Sequence, residues 1–114
     1  MSAIKYETVG EVLVLSLEGK LNSNNAAEVE ADILRHIGQG ANQLLLDMSA
    51  LDYISSAGLR VVLVAAKRLK QSAGALVLCS VQSQIREVLE ISGFLNILSV
   101  ADTRENALQR FQQG

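Results

Sequence analysis

Leu44-Leu45-Leu46-Asp47-Met48 is an apolar run of strand length in which hydrophobic and polar residues do not alternate. A strand with one wet face shows a period of two, so a run lacking that period belongs to a strand covered on both faces. The chain must therefore supply layers on either side of a sheet, and the rest of the sequence is read for those layers.

Residues 4–9 alternate as a half-exposed strand, Gly10-Glu11 makes a tight turn, and residues 12–17 follow as a more buried strand, so the chain opens with a hairpin. Residues 18–25 form a loop rich in turn formers, and Asn25 with Glu28 has capping-box spacing for a helix with Val29, Ile33 and Ile37 as its inner stripe. Gly38 and Gly40 close that helix, and residues 43–48 are the central strand. After a loop at residues 52–58, Leu59, Val62, Leu63, Ala66 and Leu69 mark a helix from about Ser56 to Lys70, with Gly74 as its stop. Residues 75–80 read as a fourth strand. Ile85, Val88 and Leu89 mark a short helix ending near Ser92-Gly93, and residues 96–100 a brief fifth strand. Asp102 with Glu105 has capping-box spacing for a last helix through Ala107, Leu108 and Phe111, which ends at Gln112-Gln113-Gly114.

After the hairpin the order is strand, helix, four times over. That pattern predicts an α/β fold: one domain over residues 1–114, with a mixed, mostly parallel sheet of about five strands, right-handed crossovers and four helices. In such sheets function gathers at the carboxyl ends of the strands, where the loops at residues 19–25 and 52–58 both begin.

With 114 residues, 49% of them hydrophobic, the chain has enough for a core without staples. A net charge of −2 with scattered basic residues leaves no electrostatic footprint for nucleic acid, and four aromatic residues, Tyr6, Tyr53, Phe94 and Phe111, give few stacking platforms. No apolar stretch is long enough to span a bilayer, and Lys5 and Glu7 near the start do not fit a signal peptide, so a soluble, cytoplasmic protein without membrane insertion is expected. The single cysteine, Cys79, lies in an apolar run and reads as core.

Ser55 and Ser56 stand where the central strand's loop becomes a helix. A serine there accepts a hydrogen bond from an orphan backbone N–H, and the same end of the helix tolerates a phosphate. Either serine is thus a candidate cap or a candidate modification site. Nucleophilic catalysis finds no support: the one histidine, His36, is on the first helix among surface residues, and a Gly-x-Ser-x-Gly elbow is absent. Asp47 and Asp52 read as a strand-end residue and a turn former, no metal-ligand cluster accompanies them, and Gly38-Gln39-Gly40 lacks the lysine and hydroxyl of a phosphate loop. No metal or cofactor is called for, and the chain reads as a binding module rather than an enzyme.

Residues 46–59, Leu-Asp-Met-Ser-Ala-Leu-Asp-Tyr-Ile-Ser-Ser-Ala-Gly-Leu, resemble the STAS domain family and specifically its bacterial anti-sigma factor antagonists. Gly19-Lys20-Leu21-Asn22 upstream and Ile91-Ser92-Gly93-Phe94 downstream support the likeness, which covers almost the whole chain. The resemblance implies a STAS-type single domain that binds an anti-sigma factor serine kinase when unphosphorylated and so frees a sigma factor. Phosphorylation of a loop serine releases it, and a PP2C-type serine phosphatase resets it. With Gly58 as the anchor, the phosphorylated position falls on Ser56, the family's aspartate position on Ser55 and its second hydroxyl on Ala57. Asn22 stands where the family commonly has another aspartate. The implied partner-binding surface comprises Asn22, Ser23, Ser55, Ser56, Ala57 and Gly58, and allows a weak homodimer. An alternative within the family is a module that senses a small ligand or lipid and is never phosphorylated.

Overall fold

A computed structural model describes residues 4–113; Gly114, at which the last helix was expected to end, lies outside them. The elements are β1 (Ile4–Val9), β2 (Val12–Leu21), α1 (Ala26–Gly38), β3 (Gln43–Ile54), α2 (Ser56–Gln71), β4 (Ala75–Cys79), α3 (Ser83–Ile91), β5 (Ser99–Ala101) and α4 (Arg104–Gln113). A single 3-10 turn, Phe94–Asn96, precedes β5.

The strands form one sheet in the order β1-β2-β3-β4-β5, antiparallel between β1 and β2 and parallel thereafter. Gly10, at φ +59, makes the tight hairpin turn that a side chain would strain. Because neighbours in the sheet are also neighbours in sequence, the right-handed crossovers place α1, α2 and α3 together on one face. They cover a core built on Leu15, Leu17, Leu44, Leu46, Met48 and Leu78, closed from above by Val29, Ile33, Val62, Leu69, Ile85 and Leu89. The other face is covered by α4 alone, whose Ala107 and Phe111 pack on Val12, Val14, Leu45, Val77 and Cys79. Leu44 to Met48 are buried on both sides, as their lack of alternation requires.

Several expected boundaries move. β2 and β3 run on together beyond the expected strand ends, to Leu21 and Ile54, so the first three residues of each of the loops placed at 19–25 and 52–58 are strand. Two register shifts accommodate this, one where Ser16 pairs with Asp47 but Glu18 with Ala50, the other between Gly19 and Lys20. Asp47 is accordingly not a strand-end residue. Its carboxylate accepts from the Ser49 N–H at 3.0 Å, within the first bulge, and from Arg104 Nη2 at 2.9 Å, while Arg104 Nη1 reaches Glu7 at 2.7 Å. Burial opposes the charge on Asp47, but the Ser49 and Arg104 hydrogen bonds outweigh it and hold the carboxyl below its ordinary range.

The capping box of Asn25 and Glu28 does not form. The Asn25 side chain turns back instead, accepting from the Asn22 N–H at 2.9 Å and donating to the Lys20 carbonyl at 2.8 Å. At α4 the Thr103 hydroxyl, rather than Asp102, accepts from the Asn106 N–H at 3.1 Å. Residues 96–97 belong to the 3-10 turn and its cap, which leaves β5 three residues long. On α2 the fully buried stripe is Gly58, Val61, Val62, Ala65 and Leu69, rotated from the expected one, with Leu59, Leu63 and Ala66 only partly covered. His36 is half-covered: its Nδ1 lies 2.8 Å from the Asp32 carbonyl and its ring stacks on Tyr6 at 4.4 Å between centroids. Burial, with the Asp32 carboxylate beside it, raises the Tyr6 hydroxyl to about 12.

Candidate functional site

The parallel register pairs Leu21 with Ile54, so β2 and β3 end side by side at the same height of the sheet. The Ser55 N–H then donates to the Leu21 carbonyl at 2.9 Å, which extends the ladder by one bond and fixes where α2 starts. From these adjoining ends the chain leaves by two routes: Asn22 to Asn25 leads into α1, and Ser55 leads into α2. The implied site residues Asn22, Ser23, Ser55, Ser56, Ala57 and Gly58 are thereby gathered at one rim of the molecule.

Their local roles differ. Ser55 is the cap: its backbone is extended (φ −94, ψ 177) and its Oγ accepts from the Gly58 N–H at 3.3 Å. Ser56, the first helical residue, is exposed, and its hydroxyl has no hydrogen-bond partner among the described residues. Of the two hydroxyls, that of Ser55 is thus spent on the fold and that of Ser56 is left at the surface. Gly58 is a contact point. A Cβ there would stand 2.8 Å from Leu21 Cγ, the Leu21 carbonyl oxygen and Ile54 Cγ1, so only glycine lets α2 rest this closely on the strand ends.

In the other loop, Asn22 is half-buried and its side chain is engaged locally, with Oδ1 accepting from the Asn24 N–H at 3.0 Å. Ser23 is exposed. Between the loops, Ser23, Ala26, Ala27 and Glu30 of one side and Ala57, Arg60 and Val61 of the other line a shallow depression of about 290 Å³. Its lining includes three alanines and one charge of each sign. Behind it, β3 runs on past β4, which ends at Cys79, so the outer edge of Ser49 to Ile54 lacks a strand neighbour. Side-chain amides cover that edge: Gln82 Nε2 donates to the Ser49 carbonyl at 2.9 Å, and Gln84 Nε2 to the Asp52 carbonyl at 3.3 Å.

Arg60, Gln82 and Gln84 were not singled out from the sequence. The spacing of Ser56 and Arg60, one helical turn apart, was a usable signal; the two glutamines, some thirty residues from the edge they cover, offered none. Among the described residues no three His, Cys, Asp or Glu side chains converge as metal ligands, and no helix is long and apolar enough to cross a membrane.

Comparison with known proteins agrees with this architecture. A family model described as the STAS domain matches residues 3–107. A Bordetella bronchiseptica protein named "Putative anti-sigma factor antagonist BtrV" is 47% identical over 109 residues, which is 96% of this chain and 94% of the relative. The crystal structure of TM1081 from Thermotoga maritima superposes with a TM-score of 0.91 at 25% identity, covering 94% of this chain and 92% of that one. The Bacillus cell fate determinant SpoIIAA in its phosphorylated form gives a TM-score of 0.75 at 29% identity, covering 96% of this chain and 99% of that one. A mixed sheet of five sequential strands, its carboxyl rim carrying the serine pair, and a match along nearly the whole chain place this protein in the STAS domain family.

Proposed function

We propose that this chain is an anti-sigma factor antagonist that works by partner switching. Unphosphorylated, it binds a serine-kinase anti-sigma factor, or a related regulator, through the rim formed by Asn22, Ser23 and Ser55 to Gly58, and so frees the sigma factor. The kinase transfers the terminal phosphoryl group of its nucleoside triphosphate to Ser56 Oγ; the serine proton and the nucleoside diphosphate leave, and the complex separates. A PP2C-type phosphatase passes the phosphoryl group to water and restores the serine.

The observation that carries this reading is the division of labour at the α2 start. Ser55 caps the helix, so Ser56 can be modified without withdrawing a hydrogen bond from the fold. A phosphate adds about 1.5 to 2 negative charges at that point, and a thousandfold loss of affinity needs only about 4 kcal/mol, which an uncompensated charge in a desolvated contact supplies. The names of the relatives support the reading, as does the similarity to SpoIIAA, at 26% and 29% identity, which has been solved in both unphosphorylated and phosphorylated forms.

The test is mass spectrometry of the protein isolated from its own cells, mapping phosphate while recording what co-purifies. Phosphate on Ser56, with a kinase-like partner on the unmodified form alone, is the expected result; Ser56→Ala is then expected to hold that partner permanently and Ser56→Asp to bind it poorly. Absence of phosphate and of such a partner under every growth condition overturns the switch and turns the question to a ligand-sensing domain.

A further inference from the structure

Arg60 is the one charged residue between Ser55 and Ala66. It stands four residues after Ser56, the spacing at which helical side chains are neighbours, and both residues are exposed. Long helical side chains lean toward the N-terminus, so a guanidinium at position 60 is within reach of the first turn of α2, whose dipole disfavours a cation. No acidic residue lies in that turn. Nor does Arg60 have an ion-pair partner among the described residues, although Glu30 of α1 lines the same depression. A cation placed against the helix field and left without an anion is a local inconsistency of the kind that marks a functional position.

We infer that Arg60 is the built-in counter-charge for a phosphate on Ser56, pairing with it within the same chain. The inference rests on the reading of Ser56 as the modified serine. It adds a second component to the switch: the phosphate brings an anion to the rim and also takes away the one cation that this part of α2 offers to a partner. The local charge then moves from about +1 to about −0.5 to −1, and the guanidinium is no longer available to an acidic group across the interface.

The test uses the full chain with phosphoserine installed at position 56 during synthesis, so no kinase is required. Its phosphate is titrated by phosphorus NMR beside the same protein carrying Arg60→Gln or Arg60→Lys, with Glu30, the charged group facing Arg60 from α1, left in place. A neighbouring cation favours the dianion, so the second phosphate ionisation is expected lower in the wild-type background than in Arg60→Gln, by roughly 0.3 to 0.7 of a unit, with Arg60→Lys recovering part of the shift. Equal values in wild type and Arg60→Gln overturn the pairing. Binding of the phosphorylated protein to the partner isolated from cells is read separately: a partner that binds both forms equally defeats the switch but not the pair, and a titration without difference defeats the pair but not the switch.

Discussion

At Ser55 and Ser56 two chemically identical side chains, one residue apart, have unlike energetic roles. The Ser55 hydroxyl accepts one of the orphan N–H groups of α2, and removing such a cap typically costs about 1 kcal/mol. Ser56 touches solvent, and a substitution there falls within about 0.5 kcal/mol of wild type. Urea denaturation of Ser55→Ala and Ser56→Ala should therefore show a lowered midpoint for the first and an unchanged one for the second. On the proposed switch, with Ser56 rather than the capping serine as the modified residue, phosphorylation leaves this cap in place.

At the scale of elements, the contact of α2 with the ends of β2 and β3 turns on the missing side chain at Gly58. Alanine is the better helix former by about 1 kcal/mol, yet its Cβ would meet Leu21 and Ile54 at 2.8 Å, and two of the three atoms there are backbone oxygen and a branched Cγ. Overpacking of this kind costs about 1–3 kcal/mol, so Gly58→Ala is expected to lower the thermal midpoint despite its helix propensity, and to shift the amide signals of Ser55 to Leu59. The strand and helix order, the opening hairpin and the buried central strand were all legible in the sequence, because periodicity reports burial directly. The run of β3 to Ile54 was not. Ser49 and Asp52 have the composition of a turn, and only the bulge after Asp47, paired across to β2, keeps them in the ladder. The cap of α4 went to Thr103 rather than its neighbour Asp102 for a similar reason, since capping depends on backbone placement that a spacing rule does not carry. Within the site, the position of the serines at a strand-to-helix junction was legible, and which of the two would be the cap was not, because that depends on where the Leu21 carbonyl fixes the helix start.

Across the whole molecule, the Glu7, Arg104 and Asp47 network ties β1, α4 and β3 together, joining residues up to 97 positions apart. The carboxyl of Asp47 is held below its ordinary value in the folded protein, so its contribution to stability is present above the unfolded-state value near pH 4 and is lost as pH falls through the lower folded value. Stability measured from neutral pH downward should hold until about pH 4 and then decline. Asp47→Asn should flatten that decline, and Arg104→Gln should cost roughly 1–2 kcal/mol at neutral pH, the screened value suited to a guanidinium that is 35% exposed.

The strict sequential order of the strands has a further consequence. In doubly wound sheets a crevice opens where the strand order reverses and helices part to opposite sides, and small molecules settle there. A sheet wound in one direction never reverses, so no switch-point crevice opens along its carboxyl rim, which here carries the shallow depression between Ser23 and Arg60. On the proposed switch, the enclosed site in which Ser56 meets a phosphoryl group is therefore supplied by the partner protein.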